Sequence, residues 1–147
     1  MRYKGNIMKQ LLTLLLLTTF LTSPLLAKEV RGYKIESNAN LRWAKLNRAY
    51  LYQAKLQNAN LSGAKLKKAD LTQANLSFAN MSWADLSYAK LSGANFAGAK
   101  LTGANFKHAN LRKANLKGAS LEGARFDFAT WIDGSKCKAN SLAKCVK

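Results

Sequence analysis

Chemistry-bearing side chains are sparse in this sequence and skewed in type. Lysine and arginine number 24 against 7 aspartates and glutamates, the net charge is +17, and His108 is the one imidazole. An excess of that size attracts anionic surfaces, whether lipid headgroups, cell-wall polymers, nucleic acid or an acidic protein. Cys137 and Cys145 stand eight residues apart near the C-terminus. In an oxidising compartment a pair so placed is expected to form a disulfide that pins a terminal loop. Metal binding is the competing chemistry, but two thiolates and a distant His108 make too poor a ligand set. No metal or cofactor is therefore expected. Neither cysteine is expected to act as a nucleophile, because no histidine lies near either in sequence.

The N-terminus points to the compartment. Arg2, Lys4 and Lys9 form a basic start, Leu11 to Leu21 is apolar apart from threonines, and Ser23-Pro24-Leu25-Leu26-Ala27 supplies a helix breaker and a small residue. Residues 1–27 read as a cleavable signal peptide. The alternative, an uncleaved anchor, needs about 20 apolar residues, longer than this run. Removing 1–27 takes away three basic residues and no acid, which lowers the net charge from +17 to +14. The protein is expected to be exported: periplasmic or secreted, or in the thylakoid lumen of a photosynthetic organism.

The elements that must carry these groups follow from a period of five. Alanine stands at 39, 44, 49 and every fifth position to Ala129, and two residues after each comes a large apolar residue: leucine mostly, Met81, Phe96, Phe106, Phe126 and finally Trp131. A helix needs apolar residues three and four apart, and a long strand needs strict alternation. A five-residue period suits neither. It suits a short extended stretch followed by a turn, repeated. Within each repeat the alanine and the large residue are two apart, so both point to one side of an extended backbone. Repetition then requires a coil wound about a shared core.

Pentads such as Ala59-Asn60-Leu61-Ser62-Gly63 and Ala74-Asn75-Leu76-Ser77-Phe78 resemble those of the pentapeptide-repeat family. The resemblance covers 39–133. It implies an all-β fold, a right-handed quadrilateral β-helix with four repeats per coil, and so about 19 repeats in nearly five coils. Asn75, Asn95 and Asn115 recur at 20-residue intervals, as do Ser62, Ser82 and Thr102, in keeping with such a coil. Solenoid ends need covers. Residues 28–38, with Val30, Tyr33 and Ile35, are expected to cap the first coil. Trp131 and Ile132 are expected to close the core at the other end, followed by a cap loop over 134–147 that holds the cysteine pair.

On four sides, 7 of the 14 basic residues of 39–133 fall together: Lys45, Arg48, Lys65, Lys67, Lys68, Lys107 and Arg125. The same side carries Tyr88, His108 and Phe128 in one column. A basic stripe interleaved with aromatic rings suits phosphates and stacked bases or sugars. The competing reading is a solvated face whose ring ladder only ties neighbouring coils, with His108 as a rung. Trp43 and Trp83 lie on another side, two coils apart; Tyr50, Tyr52 and Phe78 also point outward. Asp70 and Asp85 fall on different sides and form no carboxylate pair for acid–base work. There is no glycine-rich phosphate loop.

These features exclude an enzyme and leave a non-enzymatic, exported scaffold or binding protein that presents its basic side to a membrane, a cell-wall polymer or an acidic protein. The alternative is a structural envelope component with no defined ligand. The family resemblance also implies a third class, DNA mimics that bind gyrase. Those present a negative surface in the cytoplasm, opposite to this chain in both charge and compartment. Specific nucleic-acid recognition is not expected, and the sequence does not fix an oligomeric state.

Overall fold

The computed structural model describes residues 28–147, so the expected signal peptide lies outside the described residues. The chain opens with a hairpin. β1 (Lys28–Val30) pairs antiparallel with β2 (Tyr33–Ile35) in the register Lys28↔Ile35, Glu29↔Lys34 and Val30↔Tyr33. Arg31 (φ 56°) and Gly32 (φ 77°) are both left-handed, as a two-residue type I′ connection demands. Ile35 is buried in the core, Val30 and Tyr33 pack against it, and the Tyr33 hydroxyl accepts a hydrogen bond from the Lys45 N–H at 3.3 Å.

From Ala39 onward the chain turns once per pentad. The carbonyl of each large residue accepts a hydrogen bond from the alanine N–H three residues on, at 3.0 Å for Leu41 and Ala44 and 3.0 Å for Phe126 and Ala129. The residue just before each of these alanines has φ between 53° and 70°. That is the left-handed third position of a type II turn. Glycine occupies some of these positions, but Trp43, Lys68, Phe78, Tyr88 and His108 hold the same conformation. Each such residue costs roughly 1–2 kcal/mol, so the turn is imposed by the coil and not by glycine.

Coils stack through parallel bridges between residues 20 apart, such as Lys45↔Lys65, Asn75↔Asn95 and Asn105↔Arg125, with four turns between the partners. Three backbone bonds serve each step: Leu46 N–H to Lys65 O at 2.8 Å, Lys65 N–H to Ala44 O at 2.9 Å, and Arg48 N–H to Lys67 O at 2.9 Å. One amide per pentad is left over, that of the residue after the large one. Where asparagine or aspartate stands two places earlier it accepts this amide, as Asn60 Oδ1 does for Ser62 N–H (3.1 Å) and Asp70 Oδ1 for Thr72 N–H (3.0 Å); Lys67 N–H, after Lys65, goes instead to Asn47 Oδ1 at 3.1 Å. Short acceptor side chains recur before the large residue for this reason. Asn115 Nδ2 also donates to Asn95 Oδ1 at 3.1 Å and Asn95 Nδ2 to Asn75 Oδ1 at 3.4 Å, a ladder along the column.

The interior is a column of leucines, Met81 and phenylalanines with alanines at its corners, almost all without exposed surface. Phe106 stacks on Phe126 with centroids 5.0 Å apart, and Trp131 meets Phe126 edge-on at 5.0 Å. Beyond 133 the chain doubles back: Arg125↔Leu142 and Thr130↔Lys136 bridge antiparallel, and Phe126 N–H donates to Ser141 O at 2.8 Å. The expected disulfide between Cys137 and Cys145 is formed, with Cys137 buried. Ile132 departs from expectation. It stands after the large residue in the turn Trp131–Gly134, so it points outward and is 38% exposed instead of closing the core. The final coil is covered on one half only, and Leu116, Ala119 and Leu121 on the other half are partly buried. Among the described residues no helix is long and apolar enough to cross a membrane.

Candidate functional site

The basic side is assembled by the 20-residue step. Lys45, Lys65, Asp85, Asn105 and Arg125 succeed one another as bridge partners. Arg48, Lys68, Tyr88, His108 and Phe128 share the left-handed turn position of that side, with φ of 57° to 61°. That conformation projects them from the corner into solvent, one coil above another. Tyr88 and His108 stack with centroids 4.6 Å apart and planes at 15°; His108 and Phe128 follow at 5.2 Å and 19°. The Nζ atoms of Lys67 and Lys68 each lie 5.9 Å from the Tyr88 ring centre, and Lys107 Nζ lies 5.9 Å from that of Phe128. Ammonium groups at this range are attracted to the ring faces. Three ammonium groups are thereby gathered along a stack of three rings, and Tyr88 and Phe128 remain exposed.

Lys45, Arg48 and Lys65 occupy the first two coils of the same side and are exposed. Lys67, Lys68, Tyr88, Lys107 and His108 make the contiguous centre. Arg125 stands apart from them in its chemistry. Its Nη2 and Nε atoms lie 3.1 and 3.3 Å from Asp127 Oδ2, and Ser141 N–H donates to Asp127 Oδ1 at 3.3 Å. Burial pushes the Asp127 carboxyl up. Hydrogen bonds from the Asn140 N–H and from Arg125, together with the Arg125 charge, outweigh it and hold the carboxyl below its ordinary value. Arg125 is thus committed to a structural ion pair at the C-terminal end. Sequence reading missed this partner because Asp127 reaches it from the position after a large residue, where most pentads carry an ordinary solvent-facing side chain.

The outward aromatics of other sides are also placed. Tyr50 and Tyr52 have centroids 6.1 Å apart. Trp43, Phe78 and Trp83 are 61%, 68% and 71% exposed.

A family description of pentapeptide repeats matches the chain in 8 copies, over residues 37–73, 54–92 and 89–127. Among solved structures, a pentapeptide-repeat protein from the Arabidopsis thaliana thylakoid lumen is 29% identical with a TM-score of 0.64, over 78% of this chain and 79% of that one. A pentapeptide-repeat protein from Nostoc Pcc 7120 is 52% identical with a TM-score of 0.53, over 53% of this chain and 64% of that one. Comparison with curated proteins gives no match. These neighbours imply that the stacked turns form a right-handed β-helix solenoid. With the match running from 37 to 127, more than half of the 147 residues, the chain belongs to the pentapeptide-repeat family.

Proposed function

We propose that this protein is a non-enzymatic, exported rod that holds an anionic surface or polymer against its basic side. The carrying observation is the packing of Lys67, Lys68 and Lys107 along the Tyr88–His108–Phe128 stack. Rings fix the ammonium groups at low entropic cost and leave their outer protons free for a partner's anionic oxygens. Arg48, Lys45 and Lys65 extend the same positive field toward the N-terminal end.

On this reading residues 39–133 are nineteen pentads in nearly five coils, a rod about 23 Å long at the usual spacing of stacked backbones. Residues 28–38 cap the first coil, 134–147 cap half of the last, and 1–27 direct export. Export is supported by the disulfide and by the thylakoid-lumen location of the Arabidopsis neighbour. A second reading, a structural envelope component, is favoured by the ladder itself, since the stacking of Tyr88, His108 and Phe128 ties three successive coils together.

Binding to heparin, to anionic vesicles and to DNA, measured across a salt series, separates the two. The first reading expects salt-sensitive binding to at least one of them and its loss when Lys65, Lys67 and Lys68 become glutamine. Binding that is absent, or indifferent to those substitutions, favours the structural role.

A further inference from the structure

The turn corner beside the basic side carries the sequence Trp43, Gly63, Trp83, Gly103, Gly123 at successive coils. Each tryptophan lies across the glycine of the coil after it. A methyl group added at Gly63 would meet Trp43 Cε3 and Cζ3 at 2.2 Å and Cδ2 at 2.7 Å; one added at Gly103 would meet the same three atoms of Trp83 at 2.4, 2.6 and 2.8 Å. Both indoles therefore rest on backbone in the same orientation, related by a step of two coils. Three neighbouring ring atoms at such similar range place the ring face, not its edge, toward the glycine. The opposite face is turned to solvent, and the two residues are 61% and 71% exposed. Gly63 is buried under its tryptophan and Gly103 half-buried.

Two coils advance about 10 Å along the rod, close to the length of one disaccharide repeat in an extended β-1,4-linked glycan. Flat apolar ring faces at that interval, held rigid from beneath, are what pyranose rings stack upon. The edges of the strip are polar. Ser62 and Ser82 stand beside the indoles, with their hydroxyls bonded to Asn60 and Asn80. Lys45 and Lys65 lie along the other edge, two residues after Trp43 and Gly63. The Arg42 guanidinium lies over the Trp43 ring, 5.8 Å from its centre, so a sugar stacking there shares that face with the cation.

From this arrangement we infer a glycan-binding strip: an extended β-1,4-linked polysaccharide bearing carboxylates stacks alternate sugars on Trp43 and Trp83. Its carboxylates meet Arg42, Lys45 and Lys65. The charge preference rests on the basic-side reading above; the stacking platform does not. The C–H face of a pyranose meets an indole through dispersion contacts and burial of apolar area. The two faces act on the same polymer, so each should matter.

The test uses the full chain without 1–27 and three polymers: carboxymethylcellulose, uncharged hydroxyethylcellulose, and dextran sulfate, which is anionic but lacks the extended β-1,4 geometry. Trp43→Ala and Trp83→Ala are each expected to weaken binding to carboxymethylcellulose about tenfold and to leave dextran sulfate unchanged. Trp83→Tyr is expected to retain binding, which separates a stacking surface from a folding defect. Lys45→Gln with Lys65→Gln should weaken both anionic polymers and spare hydroxyethylcellulose. Alanine variants that bind carboxymethylcellulose normally overturn the inference, as does an equal loss for all polymers, or a change in self-association without a change in glycan affinity. If the tryptophan variants lose the glycan while the lysine variants lose nothing, the platform stands and the basic-side reading alone fails.

Discussion

Ala74 has no exposed surface and sits where the chain turns into its next side. Ala74→Leu adds three carbons to a filled corner and is expected to destabilise the rod by about 1–3 kcal/mol through overpacking. The check is the midpoint of denaturant unfolding; an unchanged midpoint contradicts the tight corner. Asn95 is a polar counterpart. It accepts the Ala97 N–H at 3.1 Å, donates to Asn75 and accepts from Asn115. Asn95→Ala strands one amide and interrupts the ladder, and about 1–2 kcal/mol of stability should be lost. Asn95→Asp, which keeps the acceptor for Ala97, should lose less. At Gly103 the φ of +67° and the indole of Trp83 both oppose a side chain. Gly103→Ala is expected to lift the indole from the surface, visible as a change in tryptophan fluorescence, with the fold retained.

The C-terminal segment is the element held by the fewest coil bonds. It is tied down by the Cys137–Cys145 disulfide and by Asp127, which joins Arg125 to the Ser141 amide. Replacing both cysteines with serine should cost about 2 kcal/mol by releasing a short closed loop. Hydrogen exchange should then speed up at Phe126 and Ala143 while the middle coils stay protected, because solenoid units contact only their neighbours. Asp127 adds a pH dependence of known sign. Its carboxyl titrates lower in the folded chain than the ordinary 3.8. Its contribution is therefore fully present above that value and is lost as pH falls through the depressed folded one. Protection of the Ser141 amide, taken relative to an unstructured amide at the same pH, should fall with acid over that range in the native protein, and Asp127→Asn should remove that change.

At the scale of the molecule, the proposed function has the stacked coils carry two differently built strips. One is the ammonium–ring stack around Tyr88 and His108; the other is the indole platform of Trp43 and Trp83. They lie on adjoining surfaces, so a polyanion that also offers flat sugar faces can engage both. Affinity for heparin should fall steeply with salt, since counterions are displaced, and the Lys65, Lys67 and Lys68 to glutamine variant should fall less steeply. A slope unaltered by those substitutions assigns the charge effect elsewhere on the surface.

The five-residue spacing of small and large apolar residues determined, by itself, that the chain winds about a core with those side chains inward. The reason is that two residues apart on extended backbone means one face, and every repeat obeys it. The 20-residue recurrence of Asn75, Asn95 and Asn115 foreshadowed the stacked column, and the two cysteines foreshadowed the disulfide. Tertiary structure decided the rest. The left-handed φ before each alanine is not written in residue type, since tryptophan, lysine and histidine adopt it too, at a cost glycine does not carry, once the coil requires it. Arg125 looks like its neighbours in sequence and is claimed by Asp127, which the returning chain covers and holds through the Ser141 amide on that half of the last coil. Trp43 and Trp83 become a platform only because glycine stands one coil further on, a relation across 20 residues that acquires meaning when stacked backbones bring the two corners into contact.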